Sequence, residues 1–497
     1  SIGVRTIAKT VRILERNHVL QLFFAGLSRK KMSLKNDETY SSRRNVCKQH
    51  WKRSLLSRCI QIMKRFRTTC SKRPNSALQT FFACSLAGIN APVSKNILNY
   101  LKKEGLKEGP CRLFGTSYSS GLKEASLFNG VSSHCMDFDD VSWATIGHPS
   151  VSVAPSVFAC AQKGKWNGKQ TLLAYVLAVE SMHQIARLTM PQLSERGWHT
   201  TLAYGVFGAA VPAVRLLGLN EDECANALGI AVSRAGGVRA NFGTQTKALH
   251  AGLSNRIGID CAEMAACGIN ASHNAVEGAD GFALCFTGEA IKGEVDIGEF
   301  WDLHENGLVI KRYPCCSGTH PTNDVWDEFL SAHPLKAEDI DHIEAGVSLL
   351  GPKEMTCHLP QNAVQAKFSL EFALAYRLIF GKLSLSSFTD QNVLAPEIQA
   401  MMKKIKMEVS PELAKLGFIG TAPIRLKVYL KDGKAITLSN DLAVGNPEKP
   451  LPEQVVKEKF MDCSKGAADQ EKAEKWYEIL KNLENATQEE ILSLGNP

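Results

Sequence analysis

The chain lacks the sequence features that mark several large protein classes. Its 15 cysteines form no CxxC pair, and only Cys315 and Cys316 are adjacent. This spacing excludes a zinc ribbon, a thioredoxin-type redox site and a ferredoxin-type cluster motif. No run of 18 or more apolar residues occurs, which argues against a membrane-spanning helix. No glycine-rich loop follows a strand pattern, so a dinucleotide-binding fold is not indicated.

The composition is that of an ordinary globular protein. Of the 497 residues, 44% are hydrophobic and 22% are charged. This length predicts two or three domains with a large buried core. Several cysteines lie within apolar runs, which is typical of buried free thiols in a reducing compartment.

The net charge of +8 is unevenly distributed along the chain. Residues 1–74 hold 19 Lys and Arg against 3 Asp and Glu, whereas the remaining 423 hold 39 against 47. The basic segment fits a mitochondrial transit peptide, a nucleic-acid-binding arm or a mis-assigned terminus. No zinc or aromatic-interleaved pattern supports the arm, so we expect no nucleic-acid partner. The transit-peptide interpretation predicts a mitochondrial location, with the cytoplasm as the alternative.

Residues 75–306 show helical patterns with many small residues. Lys169–Arg187 has one apolar stripe, and Thr200–Leu217 is rich in Ala and Gly, which permits close helix packing. Asn220 and Glu223 form a predicted capping box at the start of a further helix. We therefore predict an all-helical domain here.

The pattern changes over residues 307–447. Alternating apolar residues at 424–430 and a turn at Asp432-Gly433 predict a β-hairpin, and other segments resemble strands around a helix. Helical patterns return in 448–497 and are expected to rejoin the first domain. The predicted fold is a mainly α-helical domain of residues 75–306 plus 448–497 with a smaller α+β lid domain of residues 307–447.

The first segment with chemical potential runs from His134 to His148 and contains three Asp and two His in 15 residues. One interpretation is a metal site, since Asp and His are common ligands. The spacing matches no standard ligand motif, so we favour a proton-transfer role and predict no metal. The alternative is a turn with capping Asp residues, which does not account for the whole cluster because desolvated carboxylates need partners.

Three other segments carry candidate residues, each with a structural alternative. His199, in Gly-Trp-His at 197–199, is a neutral hydrogen-bonding group or base at a helix start, or a capping histidine. Lys247, in Thr-Gln-Thr-Lys at 244–247, indicates carboxylate or phosphate binding, or is a surface lysine in a polar loop. The fourth segment, residues 311–320 at the domain boundary, is a ligand site or a hinge with solvated charges; it contains Lys311, Arg312, Tyr313 and His320.

These residue types suit an anionic, carboxylate-rich substrate and proton transfer next to a carboxylate. The motifs MDFDD with HPS at 136–150, GWH at 197–199, TQTK at 244–247 and KRYPCC with TH at 311–320 resemble those of the MmgE/PrpD family, in the family's order. The resemblance covers roughly residues 75–480. Members include 2-methylcitrate dehydratase, cis-aconitate decarboxylase and iminodisuccinate epimerase.

The resemblance implies a discontinuous helical domain with an α+β lid, a homodimer and no iron–sulfur cluster. We expect no metal and no other cofactor. It implies a lyase for a small di- or tricarboxylate that works through a carbanion or enolate. By the motifs, the expected catalytic residues are His148, Asp137 and His199, with Asp137 orienting an imidazole. The expected substrate-binding residues are Lys247, Lys311, Arg312, Tyr313 and His320.

Two positions depart from the decarboxylase pattern that the resemblance implies. Val141 stands where the decarboxylase has Thr, and Cys316 stands where it has His. These departures keep open a catalytically inactive homologue that serves as a binding protein. An iminodisuccinate-type epimerase is a separate alternative, since it is another activity of the family.

Overall fold

The computed structural model describes residues 74–291, 300–417 and 420–497. The basic segment predicted for residues 1–74 lies outside these ranges apart from Pro74. Within them, the helix-dominated fold with a small sheet confirms the predicted fold class.

The first part of the chain is almost entirely helical. It contains α1 (Pro74–Gly88), α2 (Pro92–Lys103), α3 (Leu122–His134), α4 (Pro149–Gly164), α5 (Gly168–Arg187), α6 (Gln192–Glu195), α7 (Thr200–Ala203), α8 (Gly205–Leu217), α9 (Glu221–Arg234), α10 (Gln245–Ala266), α11 (Phe282–Thr287) and α12 (Asp302–Glu305). A two-residue ladder joins β1 (Cys111–Arg112) to β2 (Ser119–Ser120).

The second part mixes helices and strands, and two long helices follow it. Its elements are α13 (His320–Ala332), β3 (Ile340–Val347), α14 (Gly351–Glu354), α15 (Ala363–Ala366), α16 (Leu370–Phe380), α17 (Asp390–Val393), α18 (Pro396–Met402), β4 (Ile405–Val409), α19 (Pro411–Ala414), β5 (Ile424–Leu430) and β6 (Ala435–Asn440). The chain ends with α20 (Glu453–Ser464), α21 (Gln470–Lys481) and α22 (Gln488–Ser493).

The described residues build two hydrophobic cores. The larger core draws on residues 77–310 and again on residues 460–494, because α20 and α21 pack against α1. The smaller core draws on residues 313–438 and surrounds the sheet. The chain therefore leaves the helical core once and returns to it.

The sheet has the strand order β4-β3-β5-β6. β3 pairs parallel with β4 and antiparallel with β5, and β5 pairs antiparallel with β6. Ile424, Leu426 and Val428 are buried on one face of β5, as strict alternation requires. The turn that closes the hairpin has Gly433 at φ 85°, a left-handed conformation that glycine adopts without strain.

Helix capping explains where several helices begin. The Asn220 side chain accepts hydrogen bonds from the amides of Asp222 and Glu223, and the Glu223 carboxylate accepts from the Asn220 amide. This reciprocal pair is the predicted capping box and satisfies orphan amides at the start of α9. Thr244 caps α10 in a simpler way, since its side chain accepts from the Thr246 amide.

The helix predicted over Thr200–Leu217 is divided in two, which corrects the sequence-based expectation. The break falls at Tyr204, and Gly205 follows it, where a Cβ would lie 2.8 Å from the Ser254 Cβ. The whole segment is long and apolar enough to cross a bilayer, with a mean hydropathy of 1.4, but 83% of it is buried inside the fold. Buried core helices pass the same test, so this segment is weak evidence for a membrane span.

Close packing of α3 against α10 positions the residues discussed below. Gly130 and Gly252 face each other where these helices meet, and a Cβ on Gly130 would lie 2.7 Å from the Gly252 Cα. Small residues at the contact let the two backbones approach closely. The end of α3 therefore lies beside the beginning of α10, and this brings the His134–Asp140 segment next to Lys247.

This contact gives a first prediction. Gly130→Ala should destabilise the protein by about 1–3 kcal/mol, because the added methyl group overpacks the helix contact. We expect a lower midpoint of thermal unfolding, measured by circular dichroism.

Gly236→Ala is the matched control, since no other group lies within 4 Å of a Cβ at Gly236. Equal midpoints for the two variants would show that the α3–α10 contact tolerates extra volume.

Candidate active site

The centre of the candidate site is Asp137, a buried residue in the loop that follows α3. Its backbone is left-handed, with φ 52°. Lys311 Nζ donates to the Asp137 carboxylate and to its backbone carbonyl, both at 2.9 Å, and Lys247 Nζ donates to the other carboxylate oxygen. Burial alone would raise the pKa of Asp137, but the two lysine charges hold it well below its usual range. Asp137 is therefore an anion held between two cations.

A second carboxylate, Asp139, binds two imidazoles. Its Oδ2 accepts from His148 Nδ1 at 2.7 Å, and its Oδ1 accepts from His134 Nδ1 at 3.0 Å. With Nδ1 protonated, neutral His148 presents an unprotonated Nε2, which lies 3.9 Å from Asp137 Oδ1. The carboxylate that orients His148 is thus Asp139 and not Asp137, which corrects the sequence-based expectation.

Burial keeps these imidazoles neutral. Desolvation lowers the pKa of His148 despite the opposing effect of Asp139, and it lowers the pKa of His134 to about 3. The charges of Lys247 and Lys311 also lower the pKa of His148. His148 sits at the N-cap of α4, where the helix dipole also disfavours a positive charge.

His199 occupies the N-cap of α7 and pairs with His250 of α10. Their Nδ1 atoms are 2.8 Å apart, so one ring donates and the other accepts. Desolvation holds the pKa of His199 well below its usual range, and the charges of His250 and Lys247 lower it further to a smaller extent. Its Nε2 is buried without a hydrogen-bond partner among the described residues. His199 therefore offers a neutral, unsatisfied group to a ligand.

Two aromatic rings complete the surroundings of Lys247. Its Nζ lies 5.0 Å from the ring centroid of Phe368 and 5.6 Å from that of Phe242. The two rings are 5.5 Å apart, and they belong to the α+β part and the helical part respectively. The site therefore lies where the two cores meet, a common location for ligand sites.

Two further buried lysines lie next to this cluster. Lys459 of α20 donates to the carbonyls of Phe138 and Lys311 at 2.7 and 2.8 Å. Lys367 donates to the Cys135 carbonyl at 2.8 Å. Burial lowers the pKa of both ammonium groups. They hold the backbone on which Asp137 and Lys311 sit.

The last three predicted residues make their contacts elsewhere. Arg312 and Tyr313 both donate to Asp324 of α13, at 3.1 and 3.0 Å. His320 Nε2 lies 3.3 Å from the Cys315 carbonyl oxygen, and burial lowers its pKa to about 3. The structure brings Asp137, His148, His199, Lys247 and Lys311 together, and it gives the predicted substrate binding by Arg312, Tyr313 and His320 no geometric support.

The arrangement suits an anion better than a metal cation. His134, Asp137, Asp139 and His148 place one ligand atom each within 4.8 Å of one another. However, both Asp139 oxygens already accept from imidazoles, and both Asp137 oxygens face ammonium groups. A divalent cation there would have to displace or oppose two lysine charges, whereas a substrate carboxylate would be attracted to them.

Several residues of the site were not predicted from the sequence. His134 and Asp139 lie within the first segment and His250 lies three residues after Lys247, so the sequence placed them near the motifs without indicating their roles. Lys459 had a sequence signal, because it falls on the apolar face of a helix next to Val456 and Phe460. The positions of the other members depend on long-range packing.

The chain matches known proteins along most of its length. The MmgE/PrpD N-terminal domain matches residues 69–293, and the MmgE/PrpD C-terminal domain matches residues 313–485. The cis-aconitate decarboxylase of Homo sapiens is 28% identical over 384 residues, which cover 73% of this chain and 76% of that protein. The cis-aconitate decarboxylase of Aspergillus terreus is 26% identical over 440 residues, which cover 82% and 87%.

The hydrogen bond between Asp139 and His148 predicts a measurable change in the pKa of His148 when Asp139 is replaced. Asp139→Asn should lower the pKa of His148 further, because the carboxylate is the group that favours the imidazolium form. The titration can be followed by NMR of histidine-labelled protein.

Asp341→Asn is the control, since Asp341 is exposed and its carboxylate pairs with the half-exposed ring of His342, on β3. A His148 pKa that is the same in the Asp139→Asn variant as in the wild type would rule out this role for Asp139.

Proposed function

Because the chain belongs to the MmgE/PrpD family, we propose that it is a lyase that acts on a small di- or tricarboxylate through a carbanion next to a carboxylate. Decarboxylation of cis-aconitate is the first reaction to test, since that is the activity named for the similar proteins. 2-Methylcitrate-type dehydration is the other lyase reaction within the proposal. No metal or other cofactor takes part in it.

The observation that carries the proposal is the placement of Lys247 and Lys311 on one buried carboxylate beside His148. Both ammonium groups are buried, and His148 Nε2 lies 3.9 Å from the Asp137 oxygen that Lys247 contacts. In such a desolvated site, fixed cations stabilise developing negative charge far better than they do in water. A substrate carboxylate would share these lysines with Asp137.

In the proposed decarboxylation, the carbon–carbon bond to one carboxylate breaks and carbon dioxide leaves. The electron pair stays on the substrate as a delocalised allylic carbanion, which the lysine charges stabilise. Protonated His148 then donates the Nε2 proton to the far end of this system, and a new carbon–hydrogen bond forms. Asp139 supports the proton transfer, because it stabilises the imidazolium before the proton leaves.

The proton on His148 is expected to arrive together with the substrate. In the free protein, burial keeps the imidazole neutral. An anionic substrate beside Nε2 would favour the charged form and raise its pKa. Substrate binding would therefore charge the acid that the reaction needs.

Other reactions use the same residues in a different order. Dehydration requires His148 to remove a proton next to a carboxylate while hydroxide leaves, and epimerisation removes and returns one proton. The neutral Nε2 of the free protein suits removal of a proton equally well. A binding protein without turnover is the remaining alternative. Val141 is apolar where the decarboxylase pattern has Thr, and Cys316 has a neutral thiol where that pattern has His.

A product assay separates these cases. The full chain is incubated separately with cis-aconitate, 2-methylcitrate and iminodisuccinate, and the products are resolved by chiral chromatography and mass spectrometry. Itaconate supports decarboxylation, 2-methyl-cis-aconitate supports dehydration, and a changed stereoisomer supports epimerisation. Ligand binding without any product would favour the binding protein.

His148→Ala should lower turnover on the order of 10²–10⁴-fold, because the variant loses the group that transfers the proton. The variant should still fold and unfold cooperatively, with a lower midpoint of thermal unfolding, because the buried Asp139 carboxylate loses one hydrogen-bond donor.

His342→Ala is the control, since His342 is a half-exposed histidine on β3, in the sheet of the α+β part. Wild-type turnover in the His148→Ala variant would refute the assignment.

Lys247→Met should raise the KM for the substrate about 10- to 100-fold, because a charge-assisted contact to a carboxylate is lost. Steady-state kinetics checks this value. Lys336→Met, on the exposed surface, is the matched control and should leave KM unchanged. An unchanged KM in the Lys247→Met variant would show that Lys247 does not bind the substrate.

A further inference from the structure

One ionisable residue at the site has no role in the mechanism above. Glu354 is the last residue of α14, directly after β3, so it belongs to the α+β part. Its Oε2 atom is buried and accepts no hydrogen bond from the described residues. A buried carboxylate oxygen without a partner is costly, which points to a ligand that satisfies it.

The surroundings of Glu354 place it at the candidate site. A Cβ on Gly318 would lie 3.3 Å from Glu354 Oε2, so the carboxyl group packs against the loop that follows Lys311. The residues that follow Glu354 also lie near the site, since the Cys357 amide donates to the Phe368 carbonyl at 3.1 Å. Phe368 is the ring beside Lys247.

Charged groups face Glu354 from several elements. Arg239 lies in the turn before α10, Lys247 in the first turn of α10, and Lys311 in the segment before α13. Asp137 adds a negative charge from the loop after α3. Cys316 is also a neighbour, and burial keeps its thiol neutral. Burial raises the pKa of Glu354 to about 7, and the three cations only partly oppose this effect.

We propose that Glu354 is a substrate-binding residue whose protonated carboxyl group donates a hydrogen bond to a carboxylate of the substrate. The inference rests on the proposed function for the class of ligand. Lys247 and Lys311 are already shared with Asp137, so a further substrate carboxylate needs another donor. Protonated Glu354 supplies that donor, whereas ionised Glu354 repels the substrate.

This role couples binding to pH. An anion next to Glu354 favours its protonated form, so binding should take up a proton when the free carboxyl group is ionised. Affinity is then highest at low pH and falls as the pH rises above the pKa of Glu354 in the free protein. Glu354 contributes a loss that approaches tenfold for each further pH unit, since it takes up one proton on binding, and any proton that His148 takes up adds to this loss.

The experiment measures binding of propane-1,2,3-tricarboxylate, a saturated acid that cannot be decarboxylated like its unsaturated relative. Isothermal titration calorimetry between about pH 6 and about pH 8, in buffers of different ionisation enthalpy, gives both affinity and proton uptake. The wild type should show the pH-dependent affinity and the proton uptake described above.

Glu354→Gln should bind with an affinity within a few-fold of the low-pH wild type, because the amide also donates a hydrogen bond. It should lose the proton uptake and the pH dependence that belong to Glu354. Glu354→Ala lacks the donor and should weaken binding on the order of 10- to 100-fold at low pH. Glu338→Gln is the matched control at an exposed position and should behave as the wild type.

Another buried acid must be distinguished from Glu354. Burial also raises the pKa of Asp140 to about 7, but Ser150 donates to its carboxylate at 2.6 Å. Asp140 is unchanged in the Glu354→Gln variant, so any proton uptake that persists there belongs to another group. Persistence of the full wild-type uptake and pH dependence would overturn the inference, as would wild-type affinity in the Glu354→Ala variant.

The outcome also separates this inference from the proposed function. If the wild type binds the tricarboxylate with Glu354-dependent proton uptake but converts none of the three substrates, the lyase proposal fails and the role of Glu354 stands. If cis-aconitate is converted and Glu354→Gln keeps the wild-type pH dependence of KM, the role of Glu354 fails alone. A wild type that does not bind the tricarboxylate at any pH overturns the inference.

Discussion

The buried ion cluster of Asp137, Lys247 and Lys311 is the constraint on which the rest of the site depends. Removal of one partner from a buried ion pair typically costs about 3–5 kcal/mol, because an uncompensated charge remains. The cluster joins the loop after α3, the first turn of α10 and the segment that leads into the α+β part. The contact between α3 and α10 at Gly130 and Gly252 is therefore a condition for the chemistry as well as for the fold.

The cluster also explains why the free site is suited to an anion. Asp137 satisfies both lysines in the absence of substrate, so neither ammonium group is left buried without a partner. A substrate carboxylate would enter an environment whose cations are already desolvated and fixed by Lys459 and its carbonyl contacts. Little reorganisation would then be needed at the moment of reaction.

The sequence allowed the fold class and the central site residues to be predicted, because each lies within a motif with its own chemical logic. It could not assign the partners within the cluster. Asp137 has a left-handed backbone that no residue pattern predicts, and in the folded chain Asp139 contacts His148 while Asp137 contacts the lysines. Lys311 and Arg312 are adjacent in sequence but have different partners, since Lys311 contacts Asp137 and Arg312 contacts Asp324. Glu354 carries no motif and enters the site only through the packing of β3 and α14.

Because the histidines beside the buried lysines are neutral, protonation of their imidazoles is coupled to the binding of an anion. His148, His199 and His250 all have lowered pKa values because they are desolvated and face Lys247. Such a site holds its positive charge on lysines, which bind, and keeps its imidazoles uncharged until an anion arrives. The net charge of the whole chain, +8, says little about this arrangement. The charge that determines the proposed chemistry is local and is carried by a few buried ammonium groups. An incoming carboxylate offsets the field of these groups. The neighbouring imidazole rings and Glu354 can then take up protons.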